Sequence, residues 1–507
     1  MSESTKNLNL TGGSLLAKNS LYNILGQVFP TLAAIFSIPI LINALGASGF
    51  GVLTLVWMVT GYFSLLDLGI SRALTKHLSE KLGRGDLDDI PNLIWTALML
   101  AFLMGLIGVL MISLGSTTLA YDVFKIPSVL QEDVETSFYI LSISVPIVIC
   151  NTVLRAILES YQRFDIVNMI RAPIGSLTFL GPVLVLLFSE KLSHIVIALV
   201  ASRLLESAIT SFYCIRIVPT MLRNVRLNVS YISMFLIFGG WITISSIVGP
   251  LMLYLDRFLI GSIISITSVA YYATSHEIII RLMVIPGAIV GVLFPAMGAV
   301  LGPNPSKAAT MFFAGIKYTF ITLFPVILII FIFAEEGLNL WLGDEFSLQG
   351  TTVLQLLAIG ALISSLSYFP FAMLHTAGRP DLPAKLHLIE SPFYLILAWV
   401  LITRYGIEGA AIAWVSRAAF DTIVLYYMAG RELKITYPIS RILLITLTLG
   451  AFLLVSMFLS QGLYFKILSC SIGLPLLLVF SWKKILNSSE RAFVLTYANR
   501  LYVSRKS

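Results

Sequence analysis

Apolar runs of about twenty residues or more recur from one end of this chain to the other. Each is long enough to cross a bilayer as a helix. Only 12% of the 507 residues are charged, roughly half the share in an ordinary soluble domain, and the mean hydropathy is +0.93. Hydrocarbon offers the backbone no hydrogen-bond partner, so such runs must satisfy themselves as helices. The sequence predicts an all-α polytopic membrane protein of about fourteen spans. Seven lie near 19–45, 50–75, 91–116, 134–157, 169–188, 193–215 and 232–263. The other seven lie near 268–300, 308–333, 349–374, 383–403, 407–429, 439–460 and 464–482. Residues 1–18 are polar and lack the apolar core and cleavage site of a signal peptide. Cys150, Cys214 and Cys470 fall in apolar runs and read as buried thiols, with no disulfide framework or metal site implied.

Part of the chain is written twice. Leu158-Glu159-Ser160-Tyr161-Gln162-Arg163-Phe164-Asp165 returns as Leu374-His375-Thr376-Ala377-Gly378-Arg379-Pro380-Asp381. Ala201-Ser202-Arg203 returns as Val415-Ser416-Arg417, and an acid follows each, Glu206 and Asp421. The copies stand about 215 residues apart, the spacing of a six-helix repeat. An even number of spans sends both copies into the membrane from the same side. Two six-helix lobes related by an axis along the membrane normal, with a cavity between them, follow from that. The expected division is an N-terminal segment at 1–18, lobes at 19–215 and 232–430, and a linker at 216–231. An accessory helix pair at 431–485 and a basic tail at 486–507 complete it.

Loop charge sets the orientation. Loops from odd to even spans carry Lys125, Lys191, Arg404 and Lys466, and that near 334–348 holds four acids and no cation. Loops from even to odd spans and the tail carry roughly five times as many cations. Both termini are therefore expected in the cytoplasm.

Charges inside spans cost about 2.5–3.5 kcal/mol each at a helix centre, so they face a cavity or a partner. Arg203 and Glu206 are three residues apart; Glu277 and Arg281 are four apart, as are Arg417 and Asp421. Each spacing puts both side chains on one helix face. Ion pairs that lock helices together are the simplest reading of Arg203/Glu206 and Arg417/Asp421; a coupling role is the other. Asp256 and Arg257 point to different sides of one helix, which suits a latch between helices. Asp67 and Arg72 suit a cytoplasmic lock. The eighth span is denser, with Thr274, His276, Glu277 and Arg281 inside two turns. Lys317 stands in mid-span with no acid at helical spacing. Arg281 by its planar fork and Lys317 as a point charge fit a phosphate or pyrophosphate. The structural alternative satisfies Arg281 with Glu277 and lets Lys317 snorkel. Asn19, Asn23 and Gln27 form a polar stripe on the first span, expected to face the cavity.

No phosphate-binding Gly-rich loop, His-Glu-x-x-His or Gly-x-Ser-x-Gly motif occurs, so no built-in ATPase, zinc peptidase or serine hydrolase is expected.

One further pattern is familiar. Asn19-Ser20-Leu21-Tyr22-Asn23, Ser37-Ile38-Pro39-Ile40-Leu41, Leu45-Gly46-Ala47-Ser48-Gly49-Phe50-Gly51 and Leu66-Asp67-Leu68-Gly69-Ile70 resemble the start of polysaccharide-biosynthesis flippases. Asp256-Arg257-Phe258-Leu259-Ile260-Gly261 with Val269-Ala270-Tyr271-Tyr272 resembles the counterpart in the second lobe. These are the Wzx-type O-antigen and exopolysaccharide flippases of the multidrug/oligosaccharidyl-lipid/polysaccharide exporter superfamily. The resemblance covers residues 15 to about 430. It implies alternating-access translocation of an undecaprenyl-diphosphate-linked oligosaccharide across a bacterial cytoplasmic membrane, driven by an H+ or Na+ gradient or by the membrane potential. The cavity cations it implies are Arg281, Lys317 and Arg257, alongside His276 and Glu277. Membrane lipids, a polysaccharide polymerase and chain-length machinery are the implied partners. No cofactor, metal or nucleic acid is expected. The first span lacks the arginines of the related lipid II flippases, which counts against a lipid II substrate. A small-molecule antiporter of the same superfamily would use acids such as Asp67, Glu206 or Glu277 instead. A membrane polymerase or ligase would need larger outer loops than this chain has.

Overall fold

A computed structural model of the chain describes residues 13–63, 67, 69–222, 231–233, 235, 252, 254–301, 304–433, 462–480 and 491. Every element among them is helical, and nine stretches are long and apolar enough to cross a membrane. The first half comprises α1 (Gly13–Phe63), α2 (Ile70–Arg84), α3 (Ile90–Thr118), α4 (Ser128–Ser160), α5 (Phe164–Leu186) and α6 (Leu192–Ile217). The second comprises α7 (254–263), α8 (Ile266–Leu282), α9 (Val284–Leu301), α10 (Pro305–Ile332), α11 (Ala334–Leu342), α12 (Asp344–Thr376) and α13 (Asp381–Leu433); α14 is Leu463–Phe480. The expected thirteenth span at 439–460, most of the seventh, the segment 1–12 and all of the tail but Arg491 lie outside the described residues.

Two of these elements double back. α1 turns at Gly46, whose φ of 68° lies in the left-handed region that glycine enters at least cost. A straight helix would hold Thr31 and Trp57 about 39 Å apart. Instead both reach Phe179: Trp57 stacks edge-on at 5.0 Å, and Thr31 binds the arginine that lies over the same ring. α13 turns likewise at Gly406, φ 62°. Each therefore supplies two of the expected spans.

Three boundaries differ from expectation. The second span was expected to run through residue 75, but the described chain is out of helix at Asp67 and α2 begins anew at Ile70. Gly69 takes φ 73°, and the buried Asp67 carboxylate accepts from the backbone N–H of Gly69 at 3.1 Å and of Ser71 at 3.0 Å. Asp67 thus starts a helix. The eighth span was expected to be unbroken over 268–300; it breaks at Met283, because Pro286 has no N–H to give to the carbonyl four residues back. The outer loop near 334–348 folds as the short helix α11 and the first turn of α12.

The repeated sequence builds the same turn twice. Gln162 and Gly378 both adopt positive φ, 58° and 74°. Arg163 N–H donates to Leu158 C=O and Arg379 N–H to Leu374 C=O, each at 2.9 Å; Gln162 N–H and Gly378 N–H close the inner bonds to Glu159 and His375. Both are Schellman caps. Arg163 pairs with Asp165 at 2.9 Å and Arg379 with Asp381 at 3.1 Å.

Loops poor in cations meet at one face. Ser48 and Thr267 hydroxyls lie 2.8 Å apart, Lys125 N–H donates to Gly261 C=O at 3.1 Å, and Trp341 Nε1 donates to Ile35 C=O at 2.8 Å. Each of these bonds joins the first half to the second. Lys466 of α14 joins the same face through Glu336 at 2.8 Å. At the other face Tyr231, the last residue of the expected linker, donates to Asp89, which also accepts from Asn92 at 2.8 Å.

A methyl group on Gly409 would lie 2.0 Å from the Leu401 carbonyl oxygen across the α13 turn, whereas one on Gly181 would meet open space. Gly409→Ala is expected to destabilise by ~1–3 kcal/mol, seen as a lower thermal midpoint in detergent, with Gly181→Ala unchanged. The hydrogen bond from Tyr231, then that from Asn92, holds the Asp89 carboxyl below its ordinary value. A lowered carboxyl stabilises above its unfolded value and loses that contribution as pH falls through the folded one. The thermal deficit of Tyr231→Phe is therefore expected at pH 7 and closes only below ~3.9.

Candidate functional site

Guanidinium groups keep their proton in proteins, so an arginine in an apolar bundle must be paired or wetted. Arg257 of α7 is only 4% exposed and is paired. Its Nη2 donates to Glu277 Oε1 at 3.1 Å and lies 3.3 Å from His276 Nδ1. Arginine is only a donor, so His276 Nδ1 accepts and the imidazole carries its proton on Nε2. Glu277 Oε2 accepts from Arg281 Nη2 at 3.3 Å. Arg281 reaches across to the first half: Nη1 donates to Thr31 at 2.9 Å, and the guanidinium lies 5.4 Å above the Phe179 ring. Asp256, 1% exposed, faces the other way and accepts from Tyr272 at 2.7 Å and from Tyr394. The two neighbours thus bond to other helices, Arg257 to α8 and Asp256 to both α8 and α13.

Around Arg281 a cavity of about 390 Å³ lies between the halves. Gln27 and Thr31 of α1, Arg171 and Thr178 of α5, and Glu277 and Arg281 of α8 contribute its polar lining. The polar stripe of the first span is represented by Gln27; Asn19 and Asn23 stand on α1, and their side chains lie outside the described set. Arg171 is a lining residue that is not among the intramembrane charges singled out from the sequence. It stands seven residues inside α5, past the Asp165 that opens the helix. No carboxylate among the described residues pairs with it. A second cavity of about 210 Å³ in the first half shares Arg171, Gly175 and Thr178 with the first. It adds Arg155, paired with Glu159 at 3.3 Å, and the expected Arg203/Glu206 pair at 3.0 Å.

Lys317 and Arg257 do not line the Arg281 cavity. Lys317 sits on α10 with its ammonium 5.2 Å from the Tyr318 ring. Arg417 and Asp421, expected to pair within one helix, find other partners: Arg417 Nη1 lies 3.5 Å from Glu390, and Asp421 3.3 Å from His387. His387, Glu390 and Asp421 bring ligand atoms within 4.8 Å of one another, a spacing open to a metal ion, yet the Arg417 guanidinium already supplies a positive charge there.

A profile of the polysaccharide biosynthesis protein family matches residues 16–300, more than half of the chain. The chain belongs to that family. A candidate O-antigen transporter of Shigella flexneri is 29% identical over 417 residues, covering 82% of this chain and 98% of that protein. A protein of Haloferax volcanii assigned as the low-salt glycan biosynthesis flippase Agl15 is 24% identical over 206 residues, 40% of this chain and 43% of its own. The inward-facing structure of a multidrug resistance MATE family transporter of the MOP superfamily superposes with a TM-score of 0.69 at 16% identity, covering 80% of this chain and 94% of the other. This family member is a multi-pass membrane protein with that transporter fold.

Glu277 neutralises a buried arginine, so Glu277→Gln is expected to cost about 3–5 kcal/mol. Glu206→Gln leaves a partner that is 26% exposed and is expected to cost far less. Folded yield and thermal midpoints of the two variants in detergent check the difference.

Proposed function

We propose that this polysaccharide biosynthesis family member is a flippase. It moves an undecaprenyl-diphosphate-linked oligosaccharide from the cytoplasmic to the outer leaflet of a bacterial cytoplasmic membrane by alternating access. The observation that carries the reading is the charge around the two neighbouring cavities, counted over the described residues. Arg155, Arg171, Arg203, Arg257 and Arg281 stand against Glu159, Glu206 and Glu277, an excess of two positive charges. A diphosphate diester carries two negative charges. Arg171 and Arg281 take the diphosphate oxygens, one from each half, by charge-assisted hydrogen bonds. Lys317 is replaced in that role by Arg171, which shares the cavity with Arg281.

Alternating access is supported by the bonds that tie the halves together at the cation-poor face, with the cavity lying deeper. By the positive-inside rule that face is external. Export of a dianion from a negative interior gains about 2.3 kcal/mol per charge per 100 mV, so the membrane potential drives the cycle as a whole, with or without a coupled H+ or Na+. The MATE-like fold and the names of the relatives agree with transport rather than covalent chemistry.

Proteoliposomes holding a fluorescent undecaprenyl-diphosphate oligosaccharide, read with an impermeant quencher, test the reading. Wild type is expected to move the lipid under an imposed potential. Arg171→Gln and Arg281→Gln are each expected to slow it by ~10–100-fold, and Lys317→Gln to leave it unchanged. No movement by wild type under either polarity sinks the proposal; wild-type rates in both arginine variants remove the phosphate site.

A further inference from the structure

The two halves contain cavities at matching places with different linings. The Schellman turns fix the offset between copies at 216 residues, from Leu158 to Leu374. In the first-half cavity α4 contributes Val148, Asn151, Thr152 and Arg155. The residues 216 further on are Ser364, Ser367, Tyr368 and Phe371 of α12, and all four line a second-half cavity of about 590 Å³. Arg171 of α5 corresponds to His387 of α13, which lines it too. Arg203 and Glu206 of the first cavity have Arg417 and Asp421 close to their places in the second, one or two residues short of that offset. Two of the three arginines of the first cavity are thus an aromatic ring and an imidazole in the second.

That second lining has flat apolar faces beside hydrogen-bonding edges. Phe371, 37% exposed, stacks at 4.4 Å from the His375 ring and 6.2 Å from the His387 ring, nearly parallel to the latter. Phe294 and Tyr368 add further ring faces, and Ser364 and Ser367 add hydroxyls. Two buried polar atoms of the lining make no hydrogen bond: Arg417 Nε, and Asp421 Oδ1, which stands 3.3 Å from His387 Nε2. Unpaired buried groups of this kind are costly unless something supplies their bonds. A donor is needed for the carboxylate and an acceptor for the guanidinium. A sugar hydroxyl is both, and a pyranose ring presents a C–H face to aromatic rings and hydroxyls at its edge. The volume is within the range of small-molecule sites.

We propose that this second-half cavity, between α9, α12 and α13, is a sugar site. It holds one ring of the lipid-linked glycan against Phe371, with hydroxyls bonded to Asp421 and Arg417, while the arginines of the first half hold the diphosphate. The inference rests on the proposed flippase function and divides its substrate between the halves.

Binding to protein in nanodiscs tests it with two sets of probes. One is undecaprenyl diphosphate alone; the other is the same lipid carrying a neutral, an N-acetylated or an acidic monosaccharide. At least one sugar is expected to raise wild-type affinity over the bare lipid. Phe371→Ala and Asp421→Asn are expected to remove that gain, ~10-fold, and to leave bare-lipid affinity unchanged. Ser364→Trp, which fills the cavity without removing a polar partner from the first half, is expected to do the same. Arg171→Gln is expected to weaken both forms. A glycosylated lipid that binds wild type no better than the bare lipid overturns the sugar site and leaves the flippase reading intact. So do variants that keep the gain, or that lose both forms equally. Wild type that binds neither form overturns both proposals. The monosaccharides free in solution separate a lipid-linked ligand, which they bind far more weakly than, from a soluble sugar, which they match.

Discussion

One carboxylate holds two arginines in this fold. Glu277 of α8 accepts from Arg257 on α7 and from Arg281 one turn along its own helix. Neither guanidinium can become neutral, so each needs a counter-charge or water wherever the bundle places it. Sharing one acid divides the arginines by role. Arg257 is sealed in and fixes α7 to α8. Arg281 keeps a free side for Thr31 and the cavity. The second of these contacts is also where the two halves of the molecule meet at depth, so the ion triad that stabilises the second half also aims its one cavity-facing cation.

Similarity between the halves is strongest in the backbone. The cap at Gln162 and the cap at Gly378 share hydrogen bonds residue for residue, although glutamine pays roughly 1–2 kcal/mol for a left-handed conformation that suits glycine. The arginine and aspartate that follow each cap pair in the same way. Side chains that line space have diverged instead. Arginine, asparagine and threonine on α4 stand where phenylalanine, serine and tyrosine stand on α12. Duplicated turns fix where helices begin and end; the walls between them are free to take different chemistry.

Much of this was legible in the sequence. Apolar run length gave the helices, and the repeated sequence gave the duplication that the two caps share. Helical spacing gave the Arg203/Glu206 and Glu277/Arg281 pairs, which formed as read. Spacing failed for Arg417 and Asp421 because acids and bases from the neighbouring stretch of α13 compete: Glu390 and His387 lie closer than the helical partner. Hydropathy windows also carried the second span through Asp67, where the chemistry is that of a helix start. Arg171 was hidden because a cation near a span's end looks the same in sequence whether it points to the loop or to the cavity. Only helix rotation separates the two, and that depends on packing between α1 and α5.

The count of charges bears on how a transport cycle could run. On the proposed reading, an empty site with two extra positive charges becomes neutral when a diphosphate diester enters. The loaded protein then carries little net charge through its conformational change, so the field across the membrane does little work on that step. The empty site must return with its excess uncovered, moving positive charge towards the negative interior. At about 2.3 kcal/mol per charge per 100 mV, the potential pulls on the return. A site with an equal number of acids and arginines would lose that pull, and one with a larger excess would hold its anion too tightly to release it. On that reading the three carboxylates matter as much as the arginines, because they set the residual charge with which the site takes up a dianion and comes back without it.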